Sequence, residues 1–468
     1  VRSRFRGKGG HRGTAPTKLK TLLSRHPEQR LQKAWDCAQL GILIFPIMPA
    51  LGGVGLFLAL VSTWKQEYRQ IIKHPLNWGL AILSIWLIMT SCFAFKPTES
   101  FLGLANFLPF FAFFAALSVL IQTPAQLRQL AWILVIPSLP IVILGLGQLF
   151  LGWSSPALLQ GLFGWVVEAK GNPPGRMASV FMYANILAAY LQIVFILGLG
   201  LWIETFQAWR QTWKKSQGRQ LLFLSVLVLG NAIALFLTNS RNVWAIAFLA
   251  CLTFALYLGW RWLVVGVTAA AASILWASFG PKLGRQWLRS LVPAFFWARL
   301  SDQLYPDRPV ALMRKTQWHF AWSMTQERPW MGWGLRNFTP LYEAQMHLWL
   351  GHPHNLLLMF TAETGIPATL LFCSLISWVL AQSVLLLRVW SDVAPPADRY
   401  QWHQDKLILF TYLVAFAGCT LFNLFDVTLF DLRVNTLGWL LLSAICGVVY
   451  RYRGLLLWRH FDKVANSK

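Results

Sequence analysis

The stretch 177–202, MASVFMYANILAAYLQIVFILGLGLW, decides the fold class. It contains no Asp, Glu, Lys or Arg, and it exceeds the ~20 apolar residues that carry an α-helix across the hydrocarbon core of a bilayer. In that solvent every backbone N–H and C=O needs a partner inside the segment, and a helix supplies them all. Runs of this kind recur along nearly the whole chain of 468 residues, of which 56% are hydrophobic and 12% charged. A soluble protein carries roughly twice that charged share. The chain therefore reads as one all-α polytopic membrane unit, not a string of globular domains.

The basic residues set the direction of each crossing, because short cytoplasmic loops collect Lys and Arg. Segment 38–61 has Arg25, Arg30 and Lys33 before it and Lys65, Arg69 and Lys73 after it, so it crosses an even number of times. Pro46, Pro49 and Gly52-Gly53 break it into a hairpin of two short helices. Further runs follow near 76–95, 101–121, 130–151, 177–202, 220–238, 243–259, 263–279, 356–388, 407–425 and 435–450. The expected total is about 12 transmembrane helices, in an inner (plasma) membrane, with both termini cytoplasmic. In order, the expectation is a basic, disordered N-terminus (1–35), transmembrane helices 1–9 (36–279), a long external loop carrying short helices (280–354), transmembrane helices 10–12 (355–450) and a basic tail (451–468). No apolar h-region precedes residue 36, so no cleavable signal peptide is expected.

Composition narrows the function classes. The net charge is +24, but it is dispersed among loops, as orientation requires, and no nucleic-acid partner is expected. The six cysteines all lie in apolar runs without a CxxC pair, so neither a disulfide framework nor a zinc site is indicated. The external segment 280–354 holds nine Lys and Arg against four acids. A loop of that length escapes the orientation rule, so its charge needs another cause, and an anion at the membrane face supplies one.

Three arginines stand where such an anion would be met. Arg241 tips a hairpin behind Thr238-Asn239-Ser240, Arg314 opens an amphipathic helix, and Arg176 precedes a span. A guanidinium offers a planar fork of donors suited to phosphate oxygens and stays charged at any working pH. Interface anchoring by snorkelling is the plain alternative for each. His354 follows Gly351-His352-Pro353, precedes Asn355 and starts a helix at the membrane surface. A neutral imidazole there can take a proton from a hydroxyl. Metal binding by His347, His352 and His354 is a further alternative, though the spacing matches no standard site, and no metal or other cofactor is expected.

Several of these segments resemble the O-antigen ligase/polymerase family of bacterial membrane glycosyltransferases. His354-Asn355, nine residues and then Gly365 are similar to its histidine signature, with Ala368 where a second glycine is frequent. Arg314, Trp318 and the turn Pro329-Trp330-Met331-Gly332-Trp333-Gly334-Leu335-Arg336-Asn337-Phe338 resemble its arginine-to-tryptophan helix and P-x-x-G-x-G-x-x-N-F turn. Thr238-Asn239-Ser240-Arg241 resembles its T-x-S-R hairpin, with Asn242 in place of the usual glycine. Arg176 through Asn185-Ile186-Leu187-Ala188 and the acid Asp426 also fall where the family places such residues.

The resemblance implies metal-independent transfer of a glycan from undecaprenyl pyrophosphate to an acceptor hydroxyl, on a glycan, lipid A-core or protein, at the periplasmic face. His354 would be the base. Arg241 and Arg314 would act with it on the pyrophosphate, and Arg176, Asn355, Arg336 and Asp426 would bind substrate. The similarity extends to a cyanobacterial branch labelled bicarbonate transporters. A transporter places ionisable groups near the bilayer midplane, where Glu363 is the main acid in this chain.

Overall fold

The computed structural model describes residues 24–301, 309–390 and 399–465. The Gly- and Arg-rich start expected to be disordered, Arg308 and the end of the basic tail lie outside them. Every regular element among the described residues is helical. In chain order they are α1 Gln32–Ile44, α2 Pro49–Lys73, α3 Pro75–Cys92, α4 Pro97–Gly103, α5 Leu108–Leu120, α6 Pro124–Val135, α7 Ser138–Phe150, α8 Ala157–Phe163, α9 Ala184–Thr212 and α10 Lys215–Leu237. There follow α11 Arg241–Leu258, α12 Arg261–Phe279, α13 Lys282–Leu291, α14 Ala294–Leu300, α15 Arg314–Glu327, α16 Phe338–Met346, α17 Leu356–Trp390, α18 Arg399–Asn423 and α19 Leu432–Ala465.

Ten segments among the described residues are long and apolar enough to cross a membrane, and they correspond one to one with the ten runs after residue 75. The difference from the expected twelve lies at the start. Helix α1 has 13 residues, about 20 Å of rise, too short for a full crossing. With α2 it forms a hairpin turned at 45–48, as Pro46 and Pro49 dictate. Its arms touch backbone to backbone, since a Cβ on Gly55 would stand 2.8 Å from Gly41 Cα and one on Gly52 only 2.5 Å from Phe45 Cα. Small residues permit this approach where apolar side chains gain little from leaving lipid. Residues 24–35, within the arm expected to be disordered, are packed: Trp35 Nε1 donates to the Ser24 carbonyl at 3.0 Å, and His26 Nε2 lies 3.0 Å from the Leu120 carbonyl oxygen.

The run 177–202 is helical only from Ala184. The Gln148 side-chain oxygen accepts the Ala178 and Ser179 N–H groups at 3.0 and 2.8 Å, and Ser179 has φ 51°. These contacts hold residues 177–183 as an irregular strap across the bundle end. At the opposite end of α9, Glu204 meets Arg128 at 2.6 Å, and Arg128 also reaches Asp405 at 3.1 Å, tying α6, α9 and α18 together.

The long segment between α12 and α17 folds as short helices, and the turn 329–338 docks it onto the bundle. Gly334 N–H donates to the Glu363 carbonyl at 2.8 Å, Trp333 N–H to Ala362 O at 3.1 Å, and Ile366 N–H to Pro329 O at 2.8 Å. These bonds surround a kink in α17 at Gly365, whose φ of 85° is open to glycine at little cost. Asn337 Oδ1 accepts Lys96 N–H at 2.7 Å on the other side. Phe338 packs with Phe320 and Tyr342 in a small core of its own. The Glu363 carboxylate accepts the Phe338 N–H at 3.2 Å, so the main acid inside a span caps this turn.

Candidate functional site

The loop 424–431 between α18 and α19, the start of α17 and the strap before α9 meet at one end of the bundle. Asp426, buried at 5% exposure, is their centre. Its Oδ1 lies 3.0 Å from His354 Nδ1 and accepts Val427 N–H at 2.9 Å; its Oδ2 accepts from Asn185 Nδ2 at 2.7 Å. Asn185 Oδ1 in turn accepts from Arg176 Nη2, and Arg176 Nε donates to the Thr238 carbonyl at 2.8 Å. A continuous chain of hydrogen bonds thus joins His354, Asp426, Asn185, Arg176 and the 238–241 hairpin. Burial alone would raise the Asp426 pKa. The bond to His354, the two neighbouring imidazoles and the Val427 N–H outweigh it and hold the carboxyl below its ordinary value.

His354 is set by local geometry. It has φ 53°, and its N–H donates to His352 Nδ1 at 3.1 Å. Trp318 Nε1 donates to the Pro353 carbonyl at 2.9 Å, which fixes the first turn of α15 against this segment. Asn355 caps α17: its Oδ1 accepts Leu358 N–H at 2.9 Å, and its Nδ2 donates to the Leu424 carbonyl at 3.0 Å. Asn355 therefore holds the helix start to the Asp426 loop. With an ionised Asp426 as acceptor, His354 carries its proton on Nδ1, and Nε2 is left as the basic nitrogen.

His352, which the sequence offers only as a possible metal ligand, packs against His354. Its ring lies edge-on to His354, with centroids 4.5 Å apart. Burial pushes its pKa down to about 4, against the pull of Asp426 and with further pressure from His354 and Arg314. The ligand atoms of His352, His354 and Asp426 lie within 4.8 Å of one another, while His347 belongs to no such group. Yet His352 Nδ1 accepts the His354 amide, which puts the neutral ring's proton on Nε2, the nitrogen a cation here would need bare. The donor pattern suits two imidazoles serving one carboxylate better than it suits a metal.

The expected arginines are brought to this end but not into one cavity. A cleft of about 780 Å³ is lined by His354, His352, Arg336, Lys96, Tyr183 and Trp349, among others. Arg336 shares it, 3.3 Å from Glu99. Arg241, Arg314, Arg176 and Asp426 are not among its lining residues. Arg176 stands behind the wall, its guanidinium 6.0 Å from the Tyr183 ring, and serves the hydrogen-bond chain. Arg314 begins α15 one turn before Trp318, near enough to depress the His352 pKa. Arg241 begins α11, and the next residue, Asn242, donates to the Phe425 carbonyl at 3.4 Å, beside Asp426. An apolar cavity of about 290 Å³ adjoins the site along α17, α18 and α19, lined by Leu357, Phe360, Phe416, Leu424 and Trp439 among others.

The roles of three residues of the site are not legible in the sequence. Asn185 was visible only as a motif residue, and Lys96 and Tyr183 carried no signal beyond being polar groups beside apolar runs. No curated protein matches the chain in sequence. A family model described as O-Antigen ligase matches residues 223–373, a stretch that contains Arg241, Arg314, Arg336, His354 and Asn355 but neither Arg176 nor Asp426. Over residues 223–373 the chain is thus similar to the O-antigen ligase family, in line with the ordered motifs.

Proposed function

We propose that the protein transfers a glycan from undecaprenyl pyrophosphate to an acceptor hydroxyl, at the face of the inner membrane where the His354 cleft opens, with both termini on the cytoplasmic side. The acceptor is a sugar, lipid A-core or protein hydroxyl. The observation that carries the reading is the hydrogen bond from His354 Nδ1 to Asp426, which leaves Nε2 basic in a residue that lines the cleft. The acceptor hydroxyl gives its proton to Nε2 while its oxygen attacks the anomeric carbon. The bond from that carbon to the diphosphate breaks, and inversion follows from in-line displacement. Asp426 steadies the imidazolium that forms, as buried carboxylates do beside catalytic histidines.

Arg336 and Lys96 line the cleft, and Arg241 and Arg314 flank it, so cationic groups are at hand for the departing diphosphate. The apolar cavity beside Leu357 and Leu424 gives hydrocarbon a place to lie next to the reacting end. Residues of this chain supply every proton and charge the step needs, so the reading is metal-independent. Glu363, the acid on which a bicarbonate transporter would most naturally rest, is occupied in capping the Phe338 turn.

The test is direct: purified protein, a lipid-diphosphate glycan and an acceptor, assayed for linked product. Product formed by the wild type and lost in His354→Ala supports the reading. No product, together with uptake of labelled bicarbonate by proteoliposomes, would replace it with the transport alternative.

A further inference from the structure

We infer that the corner where α12, α13 and α14 meet is a phosphate-binding site for a membrane-lipid headgroup, separate from the His354 cleft. Three donors in this corner, Arg285 Nε, Arg289 Nη2 and Trp297 Nε1, are buried and have no acceptor among the described residues. They are not scattered. Arg285 and Arg289 lie one turn apart on α13, and the Arg289 guanidinium sits 4.0 Å over the Trp297 ring. Arg289 is held there by its Nε, which donates to the Ala277 carbonyl at 2.9 Å. Buried donors are nearly always satisfied in folded proteins, so a group of three points to an acceptor that arrives from outside. A phosphate, with several oxygens and a negative charge, answers donors on two guanidinium groups and an indole at once.

Depth and amphipathy name the source. Helix α12 is a membrane-spanning candidate that ends at Phe279, and α13 starts at Lys282, so the site lies where a crossing ends. Lys282, Arg285 and Arg289 recur at helical spacing along α13, while Trp287 and Leu291, 66% and 62% exposed, are spaced four apart elsewhere on it. A short helix with a basic face and exposed Trp and Leu is the kind that lies in the headgroup layer. Phe296, next to Trp297, meets the Trp244 ring edge-on with centroids 6.0 Å apart, so this corner is built against the first turn of α11, which carries Arg241. A lipid seated here would brace the hairpin that joins the hydrogen-bond chain of the His354 site. The inference does not depend on glycan transfer.

Detergent-purified protein is titrated with phosphatidylglycerol, with diacylglycerol, and with inorganic phosphate or pyrophosphate, reading the thermal unfolding midpoint and lipid retention by native mass spectrometry. Phosphatidylglycerol should raise the midpoint and be retained. Its apparent affinity should fall at least tenfold in R285Q/R289Q and fall also in Trp297→Phe, which keeps the ring and removes the donor. Equal affinity in wild type and R285Q/R289Q would overturn the site, as would diacylglycerol acting as well as phosphatidylglycerol. A response to inorganic phosphate or pyrophosphate alone would overturn the lipid as its source. Should R285Q/R289Q not fold, Trp297→Phe decides.

Discussion

His354 Nδ1 and Asp426 Oδ1 stand 3.0 Å apart although 72 residues of sequence separate them. The carboxylate fixes which ring nitrogen holds the proton, so in the proposed transfer the two residues would act as one base.

From this pairing, His354→Ala should lower transfer by about 10²–10⁴-fold, the usual contribution of a positioned general base. Asp426→Asn should also lower kcat strongly with little change in KM, because an amide can donate to Nδ1 and so move the ring proton onto Nε2. Both variants should insert and elute as the wild type does. An Asp426→Asn enzyme with full kcat would dissociate the carboxylate from the chemistry.

Arg176 bridges the Thr238 carbonyl and Asn185, and Asn185 reaches Asp426. A lysine offers a single ammonium in place of the planar fork, so Arg176→Lys should cost activity about tenfold, less than loss of His354. Asn185→Ala breaks the same chain one link later. Residues acting through one network are non-additive, so the double variant should be scarcely worse than the poorer single one. Effects that multiply would show that the two residues act independently.

The spans could be read because burying backbone in lipid demands long apolar runs, and nothing else in a sequence looks like one. The hairpin break at 45–48 could be read from its prolines for a related reason, fixed backbone geometry. The length of α1 could not, because the run through the hairpin is apolar on both sides of the break. His354 and Arg241 are visible as charged or polar groups at the ends of such runs, and Arg314 as the opening of an amphipathic helix in the external segment. Their partnership is not. The bonds among Asp426, Asn185 and Arg176 are made by loops that meet only after the bundle packs, and no periodicity marks such a meeting. Arg176 shows the consequence: its place before a span is legible in the sequence, while its bonds to Asn185 and the Thr238 carbonyl are set by tertiary packing.

Gly365 and Gly332 explain why glycine stands at those motif positions. Their φ values are 85° and 66°. A Cβ on Gly365 would lie 2.1 Å from the Trp330 carbonyl oxygen, and one on Gly332 2.4 Å from the Glu363 carbonyl carbon. Positive φ alone costs a residue with a side chain about 1–3 kcal/mol, and the backbone collision adds to it. Gly365→Ala and Gly332→Ala should each lower the unfolding midpoint or prevent accumulation of folded protein. Ala368→Gly, in the same helix beyond the kink, should cost only about 1 kcal/mol. Equal midpoints for Gly365→Ala and Ala368→Gly would remove the steric account.

His352 gives the molecule a measurable acid sensitivity. Burial holds its pKa at about 4 in the folded protein, whereas an unfolded histidine titrates near ~6.5. Between those values the unfolded chain binds the proton and the folded one does not, so stability rises with pH across this window and is lost as pH falls from about 6.5 towards 4. The ring is 21% exposed, and the loss at pH 4.5 should be on the order of 1–3 kcal/mol. Asp426 acts in a lower window: with a depressed pKa its contribution is complete above the unfolded carboxyl value near ~3.8 and fades only as pH falls below that. Thermal unfolding at pH 7 and pH 4.5 therefore leaves Asp426 out, and comparison with a His352 variant separates His352 from His74, whose pKa burial also holds at about 4. The midpoint of the wild type should drop more between the two than that of His352→Gln, which keeps a polar side chain and has no proton to take up. If both proteins lose the same number of degrees, His352 is not held neutral by the fold, and the clamp it forms with His354 on Asp426 must be redrawn.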